Sequence, residues 1–471
     1  MMANEPARWN IPEEAPESNP YLGNSVKDYG AIGNGATDDT VPIQAAIDAN
    51  LSIAGGSLYF PDGQYLITAS LEIPLYTGWR IQGESRGSTV IVQDTDNEPC
   101  ITFTKENCHS FHLSDMSFSW TDAQPADHTD AVALLFDPDS TAGSGVYMGV
   151  IERVSWDKGF RGVDGRYSVW GMTFDNIVHG GSMTGACVCL NPTPVTGQPN
   201  NRIGHVYANA SEATEHIINL LGCVGFTIGN YEVNDNPHGK QILNVSGGST
   251  GTIDAIRVEV ADYSAYLDAV IGVSDSYLTI GTAQLQAVTI GASYRHYFLK
   301  WEAGVGSVHI GILDVDPTVS ASNFFVFTTP TPATSRLTID CVKRLGSAYL
   351  TDVDNTAGAD VLTVNDWIAP RLSDNNGDAG LVLAMGDETV QMFETALSVD
   401  RTVNLPSAYH PSNVFNGAWF RFVKTGAGAG RFFVATSTGA TVKDLAAGVT
   451  AIIEVMYRRN QWVVTDYTVL P

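Results

Sequence analysis

The sequence predicts an all-β protein: a long stack of short strands followed by a separate end domain. Three observations carry this. First, a line that opens on an apolar residue and then alternates apolar and polar recurs at 226–234, 251–260, 277–286 and 308–316. One such strand cannot bury its apolar face alone, but a stack of them can. Second, glycine is frequent (46 residues) and only 16% of residues are charged, a turn-rich and β-rich composition. Third, the final hundred or so residues keep strand-like runs but lose the repeat.

Size and charge set further bounds. With 471 residues the chain can bury a large core. Its formal charge of −26 argues against nucleic acid or anionic membrane as partner, because phosphate binding needs clustered Lys and Arg. It suits neutral sugars, or anionic ones met by a local basic patch. No apolar run approaches the length of a membrane span, so no membrane insertion is expected. The first twenty residues are polar and rich in Pro and Glu, without the basic and apolar regions of a secretory signal. The expectation is a chain that stays inside its cell or leaves by another route. Six cysteines (Cys100, Cys108, Cys187, Cys189, Cys223 and Cys341) form no CxxC motif and read as buried thiols; no metal or cofactor is expected.

Taken in order, residues 1–24 read as a flexible lead, and 25–100 as a cap plus the first coils. Glycines at 30, 33 and 35 punctuate a turn, after which Thr37 or Asp38 can N-cap a helix with an apolar face of Val41, Ile43, Ala46 and Ile47. Pro42 is tolerated in the first helical turn, and Gly55-Gly56 closes the segment. Residues 57–67 then read strand, Pro-Asp-Gly turn, strand.

These stretches resemble the start of the pectate-lyase-like superfamily of right-handed parallel β-helix proteins. The resemblance rests on Asp28-Tyr29-Gly30-Ala31, Gly33-x-Gly35, Thr37-Asp38-Asp39-Thr40 with Gln44-Ala45-Ala46-Ile47, then Gly55-Gly56-x-x-Tyr59-Phe60-Pro61-x-Gly63-x-Tyr65 and Gly78-Trp79-Arg80-Ile81-Gln82-Gly83. It covers about the first ninety residues and implies that the helix caps the end of a β-helix. It implies little about chemistry, since the superfamily holds hydrolases, lyases, epimerases and bacteriophage tail proteins.

Through 101–355 the stack registers on Leu113, Ile151, Phe174, Ile203, Ile228, Ile253, Ile280, Ile310 and Ile339, one coil per step. Positions three and five beyond each opening residue should point inward: Met116/Phe118, Val154/Trp156, Val206/Ala208, Tyr231/Val233, Ile256/Val258, Ala283/Leu285 and Leu313/Val315. Positions four and six should point outward, because strand side chains alternate. The β-helix should end near residue 350, with a loose linker at 357–359. Residues 365–471 read as a β-sandwich, with strand runs at 418–423, 431–434 and 449–455 and a last strand at 461–464 across a turn near Arg459-Asn460. This segment loosely resembles end domains of phage tail proteins.

The outward strip carries Tyr207, Asn209, Glu232, Asn234, Arg257, Glu259, Gln284, Gln286, Asp314 and Asp316. Sugar hydroxyls want such a surface of amides and carboxylates. Glycoside hydrolysis needs two carboxyl groups, roughly 6.5–9.5 Å apart for inversion. Glu232 and Glu259 are diagonal on adjacent coils, and Arg257 supplies the counter-charge that suits an ionised base. Asp235 and Asp262, at the turns just beyond, form a second catalytic pair to weigh. Elimination would use a different set, drawn from Tyr207, His205, Arg257 and Lys343, which does not cluster closely. Residues 156–167 concentrate charge and aromatics, so Trp156 and Asp157 join the candidate sugar contacts; the stretch fits a trimer contact equally well. Asp374-Asn375-Asn376-Gly377-Asp378 lacks the glycine and glutamate of a calcium loop, and reads as a turn.

Together these features look like a bacteriophage tailspike depolymerase. The resemblance implies a homotrimer of the virion tail, docked through an adaptor protein, that binds and cleaves a bacterial surface polysaccharide (capsule, exopolysaccharide or O-antigen). The end domain would serve trimerisation or carbohydrate binding. Hydrolysis by paired carboxylates is the leading expectation. A polysaccharide lyase, a non-catalytic receptor-binding spike and a cellular pectinase-like enzyme are the alternatives.

Overall fold

The computed structural model describes residues 24–470 apart from 53–54, 74–76, 104–107, 138–144, 191–197, 210–211, 235–240, 260–268, 287–296, 316–324, 328–335, 345–352, 356–361, 369–380, 384–389, 406–418, 427 and 459–460. Asp235, Asp262, Asp316, the lead at 1–23, the linker at 357–359 and the turn at 374–378 lie outside the described residues.

The stack is a parallel β-helix. Each coil contributes a long strand to a wide, 17-stranded sheet and a shorter strand to an 11-stranded second sheet; early coils add a three-stranded third sheet. The wide sheet pairs Leu113 with Ile151, Ile151 with Phe174, Phe174 with Ile203 and Ile203 with Ile228. It continues from Ile228 to Ile253, Ile280, Ile310 and Ile339. Every opening residue therefore sits on the next. One further coil follows: Leu362–Ile368 pairs in parallel with Arg336–Arg344, so the helix runs beyond the expected end near 350.

Alternation fixes what is buried. Met116, Phe118, Val154, Trp156, Val206, Ala208, Tyr231, Val233, Ile256, Val258, Ala283 and Leu313 are all at most 1% exposed. Full burial of such side chains contributes on the order of 1.5–3 kcal/mol each. The coil between Trp156 and Ala208 adds Ile177 and His179 to the same inward rows. Strands of the wide sheet bend at Asp115, Arg153 and Asn176, which share one column and have φ of 61°, 53° and 51°. Arg153 holds this bend with two hydrogen bonds to Asp115, at 2.5 and 2.8 Å.

At the N-terminal end, an α-helix at Thr40–Asn50 closes the stack and buries Ile43, Ala46, Ile47 and Asn50. It starts later than expected. Asp39, at the N-cap, makes no cap bond; its carboxylate accepts from the backbone N–H of Ile32 and Gly33, which fixes the glycine turn. Val41 is 76% exposed, so it is not part of the apolar face. The strands Ser57–Phe60 and Gly63–Ile67 do not form a hairpin: they pair in parallel with Arg80–Gly83 and Thr89–Gln93 of the next coil.

After the helix, two four-stranded sheets make the end domain. Phe393 and Phe422 meet Phe432 between them, with ring centroids 4.8 and 6.3 Å away. The last two strands, Ala451–Arg458 and Gln461–Val469, pair antiparallel as expected.

His179 generates a prediction. It is fully buried; its Nδ1 accepts a hydrogen bond from Trp156 Nε1 at 3.1 Å, and burial depresses its pKa to about 3. The unfolded chain takes up this proton near the ordinary value of 6.5, whereas the folded chain resists it until about 3. Stability is therefore fully present above pH 6.5 and falls as pH drops towards 3, by about 5 kcal/mol at most. In His179→Gln, which still offers Trp156 an acceptor, urea unfolding free energies should fall less between pH 6.5 and 4 than in the parent chain. Parallel pH curves would refute this role.

Candidate active site

On the outer face of the wide sheet, register brings most of the expected strip together. Tyr207, Glu232, Arg257, Gln284 and Asp314 are successive neighbours in one row. Asn209, Asn234 and Glu259 are neighbours in the next. Arg257 lies between both glutamates: Nη1 is 3.5 Å from Glu232 Oε1 and Nη2 is 3.1 Å from Glu259 Oε2. Asn234 Nδ2 donates to the Tyr207 hydroxyl at 2.9 Å.

Two expected contacts are corrected. Trp156 is 1% exposed and packs inward, where the Gly162 backbone lies against its indole; a Cβ at Gly162 would stand 2.0 Å from the ring. It offers a glycan no surface. Asp314 faces outward but is only 9% exposed, so it is not an open contact. Asp157 lies past the end of its strand and accepts the Ser182 N–H at 3.2 Å.

The paired glutamates have one chemical weakness. A hydrolase separates its acid from its base by giving them different surroundings. Glu232 and Glu259 share a single guanidinium, and their hydrogen bonds among the described residues do not distinguish donor from base.

A second cluster, on the outer face of the second sheet, has that asymmetry. Asp164 lies in strand Arg161–Gly165, beside Leu135 on the coil before and Cys189 on the coil after. It is 2% exposed and is held by two arginines: Arg161 Nη1 at 2.9 Å and Arg166 Nε at 3.0 Å. Arg161 also grips Glu215 with two hydrogen bonds, of 2.8 and 2.7 Å, and Arg166 reaches Asp130. Asp137, just past the strand Val132–Phe136, completes the group. Burial pushes its carboxyl above the usual aspartate range; Arg166 opposes this, and the charges of Asp164 and Asp130 add to it. The cluster thus offers a carboxyl that holds its proton to higher pH than an ordinary aspartate, beside carboxylates paired with arginine, the direction of difference that acid–base catalysis uses.

Sequence reading reached only part of this cluster. The stretch 156–167 stood out for its charge, but Asp130, Asp137 and Glu215 arrive from other coils. The second-sheet register, Leu134 to Val163 to Val188 to Ile218, would have aligned them. Its strands are short apolar runs, whose alternation is hard to see.

Fold and face define a parallel β-helix with polar strips on two sheets. Residues 24–112 match the family described as rhamnogalacturonase A/epimerase, pectate lyase-like. Mannuronan C5-epimerase AlgE4 of Azotobacter vinelandii is 43% identical over 72 residues, covering 14% of this chain and 13% of the epimerase. Alginate lyase 7 of the same organism is 31% identical over 140 residues, covering 28% of this chain and 16% of the lyase. The chain therefore matches only a small part of the length of these relatives. The gp42 tailspike of Acinetobacter phage vb_AbaP_AS12 shares the fold over 96% of this chain and 82% of its own, with 12% identity and a TM-score of 0.51.

The two faces should answer differently to mutation. Asp164→Ala leaves two guanidinium groups facing a lost, buried partner, and should destabilise by about 3–5 kcal/mol. Glu232→Gln removes one half of an exposed pair, and should cost under about 1 kcal/mol. Urea unfolding of both variants measures this; equal effects would show that the second-sheet network is no more than a surface decoration.

Proposed function

We propose that this protein is a glycoside hydrolase of bacterial surface polysaccharide, with Asp137 as general acid and the arginine-held carboxylates of Asp130 and Asp164 beside it. The observation that carries this reading is the asymmetry of the second-sheet cluster: Asp130 and Asp164 are ion-paired with Arg166, while burial raises the pKa of the Asp137 carboxyl. Asp137 donates its proton to the glycosidic oxygen as the bond breaks. Asp130, 46% exposed, is the carboxylate open enough to activate water or meet the anomeric carbon. Asp164 is buried beneath the arginines and positions them. The paired glutamates 232 and 259, together with Asp235 and Asp262, are the competing assignment.

Elimination on a uronate is the second reading. What favours it is the similarity to alginate lyase 7. Chemistry weighs against it here. Elimination needs positive charge free to neutralise the sugar carboxylate, and Arg161 and Arg166 are already engaged by Asp164, Glu215 and Asp130. A neutral or sparsely charged glycan fits better.

The wider role follows from architecture. The fold is shared over 96% of this chain and 82% of a phage tailspike, and that likeness motivates a place in the virion tail. The proposed spike is a homotrimer docked through an adaptor, with the host polysaccharide as its target.

Purified capsular and O-antigen polysaccharides, neutral and acidic, test the reaction by release of reducing ends and by unsaturated-uronate absorbance. Reducing ends without the absorbance are expected. Asp137→Asn should lower kcat by about 10²–10⁴-fold. Activity should fall as pH rises through the Asp137 pKa, because the acid form is the active one. Appearance of the absorbance establishes elimination, and full turnover by Asp137→Asn removes the assignment.

A further inference from the structure

We propose that the strip centred on Arg257 is a second glycan-binding surface, which holds neutral sugars of the polymer on the wide sheet while the second sheet cuts. This rests on the reading of the protein as a polysaccharide-acting enzyme, but not on which residues perform the cleavage.

Exposure is the first support. Tyr207 is 37% exposed, and its hydroxyl is fixed by Asn234, so the ring is held in place rather than free to turn. An oriented, half-exposed aromatic beside amides and carboxylates is the combination that sugars bind. Asn234 adds a carbonyl oxygen, Oδ1, with no partner among the described residues, although the atom itself is shielded from solvent.

The second support is the nature of the ion pairs. Arg257, Glu232 and Glu259 are 41%, 28% and 44% exposed. Pairs this open contribute little to stability. A hydroxyl can therefore insert between guanidinium and carboxylate at small cost, since it donates to one and accepts from the other. The coil repeat of ~4.8 Å presents a new polar group at each step, so a chain lying along the stack meets the same kind of contact repeatedly.

Charge selects the occupant. Two glutamates surround one arginine, so the strip is negative around Arg257, and further along the row the charges of Asp314 and Lys343 offset each other. A uronate or sulfated sugar would meet repulsion here. Neutral hydroxyl-rich residues would not. Because the strip and the cluster lie on different sheets, a short fragment fills one of them, and a polymer is needed to engage both. The gain from the second contact is then one of effective concentration.

The test uses the full chain carrying Asp137→Asn, so that substrate survives, in affinity electrophoresis through gels holding a purified neutral capsular polysaccharide. Alginate is the polyanionic control. Tyr207→Ala and Arg257→Ala, each added to that background, should weaken retardation about tenfold, whereas Tyr207→Phe should keep most of it. Circular dichroism confirms that each variant is folded. In otherwise parental chains the same alanine variants should lower the ratio of kcat/KM on polymer to kcat/KM on its short digestion fragments, also by about tenfold. Undiminished retardation in both alanine variants overturns the second surface and leaves the hydrolase reading intact. Loss of retardation in a chain whose parent cleaves nothing supports the surface and sinks the hydrolase reading. Strip-dependent retardation by alginate overturns the assignment to neutral sugars.

Discussion

Parallel pairing of each coil with the next governs this molecule. A strand in the stack has both edges occupied, so its backbone polar groups are satisfied only when the coil above and the coil below share its register. Slippage by one residue would turn Tyr231 and Val233 outward and bury Glu232. The apolar rows therefore lock the register, and the register fixes which polar side chains become neighbours. Arg257 meets Glu232, 25 positions away, for this reason, whereas Glu259 lies two residues along the same strand and shares its face by alternation.

The same constraint explains what the sequence makes visible. The wide sheet has long strands with strict alternation, so its opening residues could be aligned by eye, and all nine stack as aligned. The second sheet is different. Val188–Leu190 and Ile101–Phe103 are three residues long and buried throughout, and a run that short has no period to read. The carboxylate–arginine cluster stands on that sheet, and so escaped. Trp156 carried two incompatible expectations, inward by the strand register and a sugar contact by local composition, and only the first holds. Its neighbours Asp157, Lys158 and Arg161 are polar, but its own position in the strand is an inward one, and alternation outranks local composition.

The match to the rhamnogalacturonase A/epimerase family is confined to residues 24–112, where structure rather than chemistry is demanding. The matching segment, 24–112, contains the helix that closes the stack and the glycine turn held by Asp39. Such positions tolerate few residue types in any β-helix. Asp130, Asp137, Asp164, Arg161 and Arg166 all lie beyond that segment. A shared cap therefore carries the fold forward without carrying a reaction, and function has to be argued from the faces of the later coils.

Those faces divide two tasks that one strip would perform poorly. In the proposed reading Glu232 and Glu259, tied to one guanidinium, serve contact, while Asp137, beside the arginine-held carboxylates and raised in pKa by burial, serves proton transfer. The most direct measurement is a crystal structure of the Asp137→Asn chain with an oligosaccharide of its own substrate. The account predicts a glycosidic oxygen within hydrogen-bond reach of residue 137, with Asp130 on the other side of the scissile bond. A scissile bond lying between Glu232 and Glu259, with residue 137 untouched, would contradict it.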